Sequence, residues 1–135
     1  MKKTTIALFG CTAFLMGVAF AHEHEEFEAW MKQTNANFSS LQKTVAAKNG
    51  QETVAAADKL AELYDHVRAH FEDDKLADGV KLAKTGHDTA KDLAAVAKSG
   101  EWDKAAADLK TIGGTCQTCH AAHRVKKADG TYEMK

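Results

Sequence analysis

The sequence predicts an all-α fold, a four-helix bundle running up-down-up-down. Three observations predict it. None of the 135 residues is proline, so no ring interrupts helical hydrogen bonding from within. Apolar residues recur at three- and four-residue spacing over four stretches of about twenty residues, the period of a helix with one buried face. The stretches are separated by short groups rich in Asn, Gly, Asp and Ser, which suit tight turns between antiparallel neighbours.

A leader precedes the bundle. Met1-Lys2-Lys3 is a positive start, Ile6 to Phe20 is a mostly apolar run, and Ala19-Phe20-Ala21 is a small-residue cleavage site. Together they predict a secretory signal peptide over residues 1–21, with the mature domain at 22–135. A retained anchor would need a longer apolar run. Leu8-Phe9-Gly10-Cys11 resembles a lipoprotein box, but cleavage there leaves too short an apolar core. Contact with a membrane is thus expected only through the cleaved leader. The whole chain carries a net charge of −1, and loss of Lys2 and Lys3 leaves 16 basic against 19 acidic residues. That balance gives no reason to expect a nucleic-acid partner.

The first helix is predicted from about Glu25 to Lys48, with Phe27, Trp30, Met31, Thr34, Phe38, Leu41 and Val45 on one stripe and Asn49-Gly50 as a left-handed cap. The second runs from about Glu52 to Phe71 on Val54, Ala57, Leu60, Ala61, Tyr64, Val67 and Phe71, and Glu72-Asp73-Asp74 makes the turn after it. The third, about Asp78 to Lys98, uses Val80, Ala83, His87, Ala90, Leu93, Ala94 and Ala97. Gly86 costs it some propensity. Ser99-Gly100 stops it. The fourth starts near Glu101 and carries Trp102, Ala106, Leu109, Ile112 and Cys116. The tail from Ala128 to Lys135 is expected to fray.

The chemistry of the chain is concentrated in Cys116-Gln117-Thr118-Cys119-His120. CxxCH is the attachment signal for a c-type haem, with two thiols adding to the porphyrin vinyls and the adjacent imidazole reaching the iron. On a helix these three side chains leave one face within a turn. Export agrees with it, since c-type haem is attached outside the cytoplasm, and loss of Cys11 leaves Cys116 and Cys119 as the only thiols. A thiol–disulfide redox pair is the first alternative, but no strand pattern precedes the motif as that setting requires. A structural zinc site is the second, with His66 and His70 as a half-site one turn apart. Gly113 and Gly114, just before the motif, either kink the helix or keep backbone bare for a porphyrin edge.

The stretch from Lys98-Ser99-Gly100-Glu101-Trp102-Asp103 through Cys116-Gln117-Thr118-Cys119-His120-Ala121-Ala122-His123-Arg124 resembles the fourth helix of the class II c-type cytochromes, the cytochrome c′ family. A C-terminal CxxCH, Gly113 three residues before its first cysteine and Arg124 four after its histidine carry the resemblance. It implies a cytochrome c′-like bundle with one covalent haem on the C-terminal helix, held by Cys116 and Cys119 with His120 as proximal axial ligand. Trp30-Met31-Lys32 followed by Asn37 resembles the methionine-ligated, low-spin members, making Met31 the candidate distal ligand. A Met on a helical stripe can equally be core packing.

The function so implied is that of a periplasmic electron carrier and not an enzyme, handing single electrons to redox partner proteins. The alternative is a five-coordinate cytochrome c′ that binds small gases such as NO or CO, with Met31 only lining the pocket. Arg124 is expected near the porphyrin, pairing a propionate or tuning the proximal side, and Lys126 and Lys127 offer a partner-docking patch. His22, His24, His66, His70 and His87 are the competing ligands, each expected at the surface or hydrogen-bonded. His123 stands where the family more often has an aromatic, and is expected at a propionate or at the surface. Some family members dimerise through their first two helices, so a homodimer is possible.

Overall fold

The structure, a computed structural model, describes the backbone of residues 15–134 and the side chains of residues 25–134. The expected leader over 1–21 and the side chains of His22 and His24 therefore lie outside what is described. Four helices follow in order, α1 (Leu15–Ala46), α2 (Gly50–Asp73), α3 (Ala77–Lys98) and α4 (Trp102–His123), and a short hairpin of β1 (Arg124–Lys126) and β2 (Tyr132–Met134) ends the chain. Among the described residues no helix is long and apolar enough to cross a membrane.

The three turns between helices share one device. At each, an amide five residues along bonds back to a carbonyl of the last turn: Asn49 to Thr44 at 2.9 Å, Leu76 to Phe71 at 2.9 Å and Glu101 to Val96 at 2.9 Å. The residue before each of these donors, Lys48, Lys75 and Gly100, takes a positive φ of 53, 58 and 76°. This is the Schellman ending of a helix, which reverses the chain while satisfying its last carbonyls. The first turn differs from the expected Asn49-Gly50 cap. Lys48 is the left-handed residue, and Asn49 is instead the N-cap of α2, its Oδ1 accepting from the Glu52 N–H at 3.3 Å. The acidic trio likewise belongs mostly to α2, which runs to Asp73 before turning.

Side-chain pairs establish the direction of each helix. Phe27 stacks on His70 and Trp30 on His66, Lys91 pairs with Asp58 at 2.6 Å, and His123 meets Asp78 at 2.9 Å. Rising numbers on one helix meet falling numbers on the next, so the bundle is up-down-up-down. Its tightest seam lies between α2 and α3. A Cβ on Gly79 would fall 2.6–2.9 Å from the Phe71 ring, and one on Gly86 under 3.0 Å from the Tyr64 ring. Both glycines are buried, so two aromatic rings of α2 rest on bare backbone of α3. Gly86, not His87, is thus the inward position of that turn, and His87 sits at the rim between Asp65 and Asp88.

Leu41, Leu60, Leu63, Leu93 and Ile112 are fully buried and fill the half of the bundle near the first and third turns. Leu63 lies off the expected stripe of α2. On α4 the buried alanine is Ala105 and not Ala106, seven residues, two helical turns, before the buried Ile112. The tail does not fray. β1 and β2 pair antiparallel with Arg124 opposite Met134 and Lys126 opposite Tyr132, and the Asp129 carboxylate closes their turn by accepting from the Thr131 N–H at 2.9 Å and from its hydroxyl at 2.6 Å.

Two sets of substitutions probe these devices, one at the turns and one at the seam. Gly100→Ala should lower stability by about 1 kcal/mol and Lys75→Gly raise it by about 0.5–1 kcal/mol, because only glycine adopts the left-handed region freely. Gly86→Ala gains helix propensity but drives a methyl into the Tyr64 ring, so a net loss of about 1–2 kcal/mol is expected. Urea midpoints at unchanged slope, in one maturation state, read both.

Candidate functional site

Helices α1 and α4 close the bundle only loosely and touch sparingly. Between them, in the half away from the leucine core, lies a cavity of about 270 Å³ lined by Met31, Thr34, Phe38, Tyr64, Val67, Phe71, Gly113, Cys116, Cys119 and His120 among others. A second cavity of about 770 Å³ adjoins it and is lined by Phe27, Met31, Val67, Phe71, Cys119, His120, His123 and Arg124, with Tyr132 and Met134 of the hairpin. Met31, Val67, Phe71, Cys119 and His120 line both. The expected cysteines, the following histidine and Met31 are therefore brought to one apolar cleft, although Met31 lies on α1 and the other three on a single turn of α4.

The thiols are unpaired and half-buried. Burial, then the neighbouring Cys116 and Asp78, push the Cys119 thiol up to about 11, which keeps it protonated at neutral pH. Cys116 Sγ lies 3.4 Å from the Tyr64 hydroxyl. The Tyr64 phenol itself is held well above its ordinary value, first by burial and then by Cys116. His120 is lowered by burial and by the Arg124 guanidinium, whose Nη1 approaches His120 Nδ1 at 3.5 Å. Arg124 in turn lies over the Tyr132 ring, 3.5 Å from its centroid, at a distance suited to a cation–π contact.

The other histidines fall elsewhere. His123 is buried rather than at the surface, and its Nε2–H donates to Asp78 Oδ2 at 2.9 Å while its ring packs on Phe71. His66 and His70 each stack on an α1 aromatic, centroids 5.0 and 4.2 Å apart, and His87 pairs with Asp88. None of those three lines either cavity. Of the two glycines before the motif, Gly113 lines the cleft and a Cβ there would lie 3.3 Å from Phe38 Cζ, whereas Gly114 faces open space.

Sequence reasoning placed Tyr64 in the core and overlooked its hydroxyl. A tyrosine on a buried stripe needs a polar partner for that group, and this is the signal that marks it. The hairpin wall of the larger cavity had no comparable signal. No protein-family model matches the chain, and no curated protein matches it.

With the cofactor-free protein carrying Cys116→Ser, alkylation of Cys119 should accelerate about tenfold per pH unit from pH 7 to 10 without levelling, since only the thiolate reacts. A plateau reached near pH 9 would show that the cleft does not hold the thiol up. Mass-resolved pulses of iodoacetamide make the measurement.

Proposed function

We propose that the protein is an exported, periplasmic monohaem c-type cytochrome of the class II kind that carries single electrons. In this reading Cys116 and Cys119 hold the porphyrin covalently, His120 ligates the iron on one side and Met31 on the other. The observation that carries it is the convergence of those four side chains, from opposite ends of the chain, on one cleft.

The residues fit such a group. Cavities that hold prosthetic groups and ligands run to roughly 300–1,000 Å³ with apolar walls and few polar groups; the larger space, about 770 Å³, falls in that range and the adjoining one of about 270 Å³ extends it, with Phe27, Phe38, Val67 and Phe71 on their walls. Gly113 presents bare backbone to the cleft, and a side chain there would crowd Phe38. The buried Thr34 hydroxyl lacks a protein partner among the described residues, a polar group left over for whatever fills the space. When bound, the haem supplies a one-electron iron couple, whose potential a thioether opposite imidazole raises by favouring the ferrous state.

The chain's own residues then set the conditions. The apolar walls exclude water and so disfavour the extra charge of the oxidised form. His120 would hold the iron, and Arg124, which lies over the Tyr132 ring, would offer its guanidinium donors to the porphyrin carboxylates. Lys32 and Lys127 border the larger cavity, each paired with a carboxylate of the same rim, Glu28 at 3.9 Å and Glu133 at 3.0 Å, so a redox partner would meet both signs of charge at its mouth, where charges act on encounter rate more than on affinity.

Protein matured with haem-attachment machinery should gain the mass of one haem, and its reduced form should show a low-spin spectrum that carbon monoxide hardly alters. Met31→Ala should open the sixth position and convert it to a form that binds carbon monoxide readily. A wild-type high-spin ferrous form that already binds the gas would replace electron transfer by gas binding, with Met31 lining the pocket. An unchanged mass and two alkylatable thiols would end the haem reading altogether.

A further inference from the structure

The contact between Tyr64 and Cys116 joins residues 52 positions apart on different helices, and the attachment motif alone does not call for it. Tyr64 is buried, at 6% exposure, and its ring is fixed from behind. It lies against the bare backbone of Gly86, where any Cβ would collide with ring atoms Cε1, Cε2 and Cζ. The ring cannot retreat toward α3 and projects its hydroxyl across the bundle to α4. There it meets Cys116 Sγ at 3.4 Å, within range for a hydrogen bond involving sulfur. A buried phenol without a partner is costly, so the contact also holds the sulfur where the phenol needs it. Cys119, the other thiol of the motif, has no such hydrogen-bond partner among the described residues.

We propose that Tyr64 is a positioning residue for Cys116, holding its sulfur at the wall of the cleft for bond formation with the porphyrin. The proposal rests on the haem reading above. In the step it serves, the S–H of Cys116 adds across a vinyl C=C. The S–C bond forms at the inner vinyl carbon as the π bond breaks, and the thiol proton ends on the outer carbon, which becomes a methyl; no oxidant or reductant is consumed. The Tyr64 hydroxyl is not used up. While Cys116 keeps its S–H either group can donate across the contact; burial keeps the phenol protonated, so after the S–H has gone it is the only possible donor of the pair. Cys119 and His120 stand on the same turn of α4 without this guide, so the effect is specific to the first thioether.

The test compares wild type with Tyr64→Phe, which keeps the ring seated on Gly86 and removes only the oxygen. Both are matured with the haem-attachment machinery, unfolded, alkylated and mapped by peptide mass, and the pyridine haemochrome is recorded, since it moves to the red when one vinyl stays free. Tyr64→Phe is expected to fold with an unchanged helical signal. It should show a several-fold larger share of protein with haem joined through Cys119 alone, an alkylated Cys116 and a red-shifted haemochrome. Gly86→Ala, which keeps the hydroxyl but displaces the ring, should reproduce the same defect at Cys116. A purely structural role would instead lower haem content with both thiols left free. Wild type and Tyr64→Phe carrying haem on both sulfurs in equal yield would overturn the inference and leave the cytochrome reading standing. Wild type emerging with no haem would remove both.

Discussion

Two aromatic rings of α2 seated on glycines of α3 set the asymmetry on which the rest of the molecule depends. With no Cβ at Gly79 and Gly86, the Phe71 and Tyr64 rings lie directly on backbone, and α2 and α3 approach more closely than side chains would otherwise permit. A bundle of four helices cannot bring every seam to that distance at once. Here α1 packs on α2, α4 packs on α3, and α1 and α4 are left with few contacts. The two cavities lie in this loose seam, so the close packing of one pair leaves room beside the other.

The cleft is placed at one end by the distribution of bulk. Leu41, Leu60, Leu93 and Ile112 saturate the half of the bundle near the first and third turns. In the other half, Phe27 and Phe71 stay on the walls, and α4 contributes Gly113, Cys116 and Cys119 where the leucine half has Ile112 and Ala105. Small side chains on α4 thus do for the fourth helix what glycine does for the third, but facing a space instead of a ring. The hairpin then closes the end of that space, with Met134 packed on the apolar cluster and Tyr132 beneath Arg124.

Much of this was legible in the residue pattern. Four helices follow from four periodic stretches and from the lack of proline, because both the stripe and its hydrogen bonding are local properties. The CxxCH turn is legible for the same reason. What escaped is set by contacts distant in sequence or by conformations the residue type does not announce. Lys48 and Lys75 carry the left-handed positions that glycine usually marks, so the first stop read one residue late, at Asn49-Gly50, and only Gly100 marked its own turn correctly. Gly86 read as a weakness of α3, when its lack of a side chain is what seats Tyr64. Asp129-Gly130 read as the start of a loose tail, yet the Asp129 side chain folds it into a hairpin. His123 gave no hint of Asp78, 45 residues earlier, because a hydrogen bond across two helices leaves no periodic trace.

The loose seam also says what a covalent group there would accomplish beyond its chemistry. A bundle of this size has a modest apolar core, and its α1–α4 face is not closed by side chains. On the proposed reading, the porphyrin supplies the missing apolar surface between α1 and α4. A ligand in equilibrium stabilises only in proportion to its concentration over its dissociation constant, whereas one bonded to Cys116 and Cys119 cannot leave, and its contribution does not dilute away. Ligation by Met31 would add a tie between α1 and α4, two neighbouring helices that otherwise touch sparingly. The same sulfur that sets the potential of the iron would then fasten the first helix to the last, and loss of that bond would be felt as a loosening of the seam as well as an opening of the sixth position.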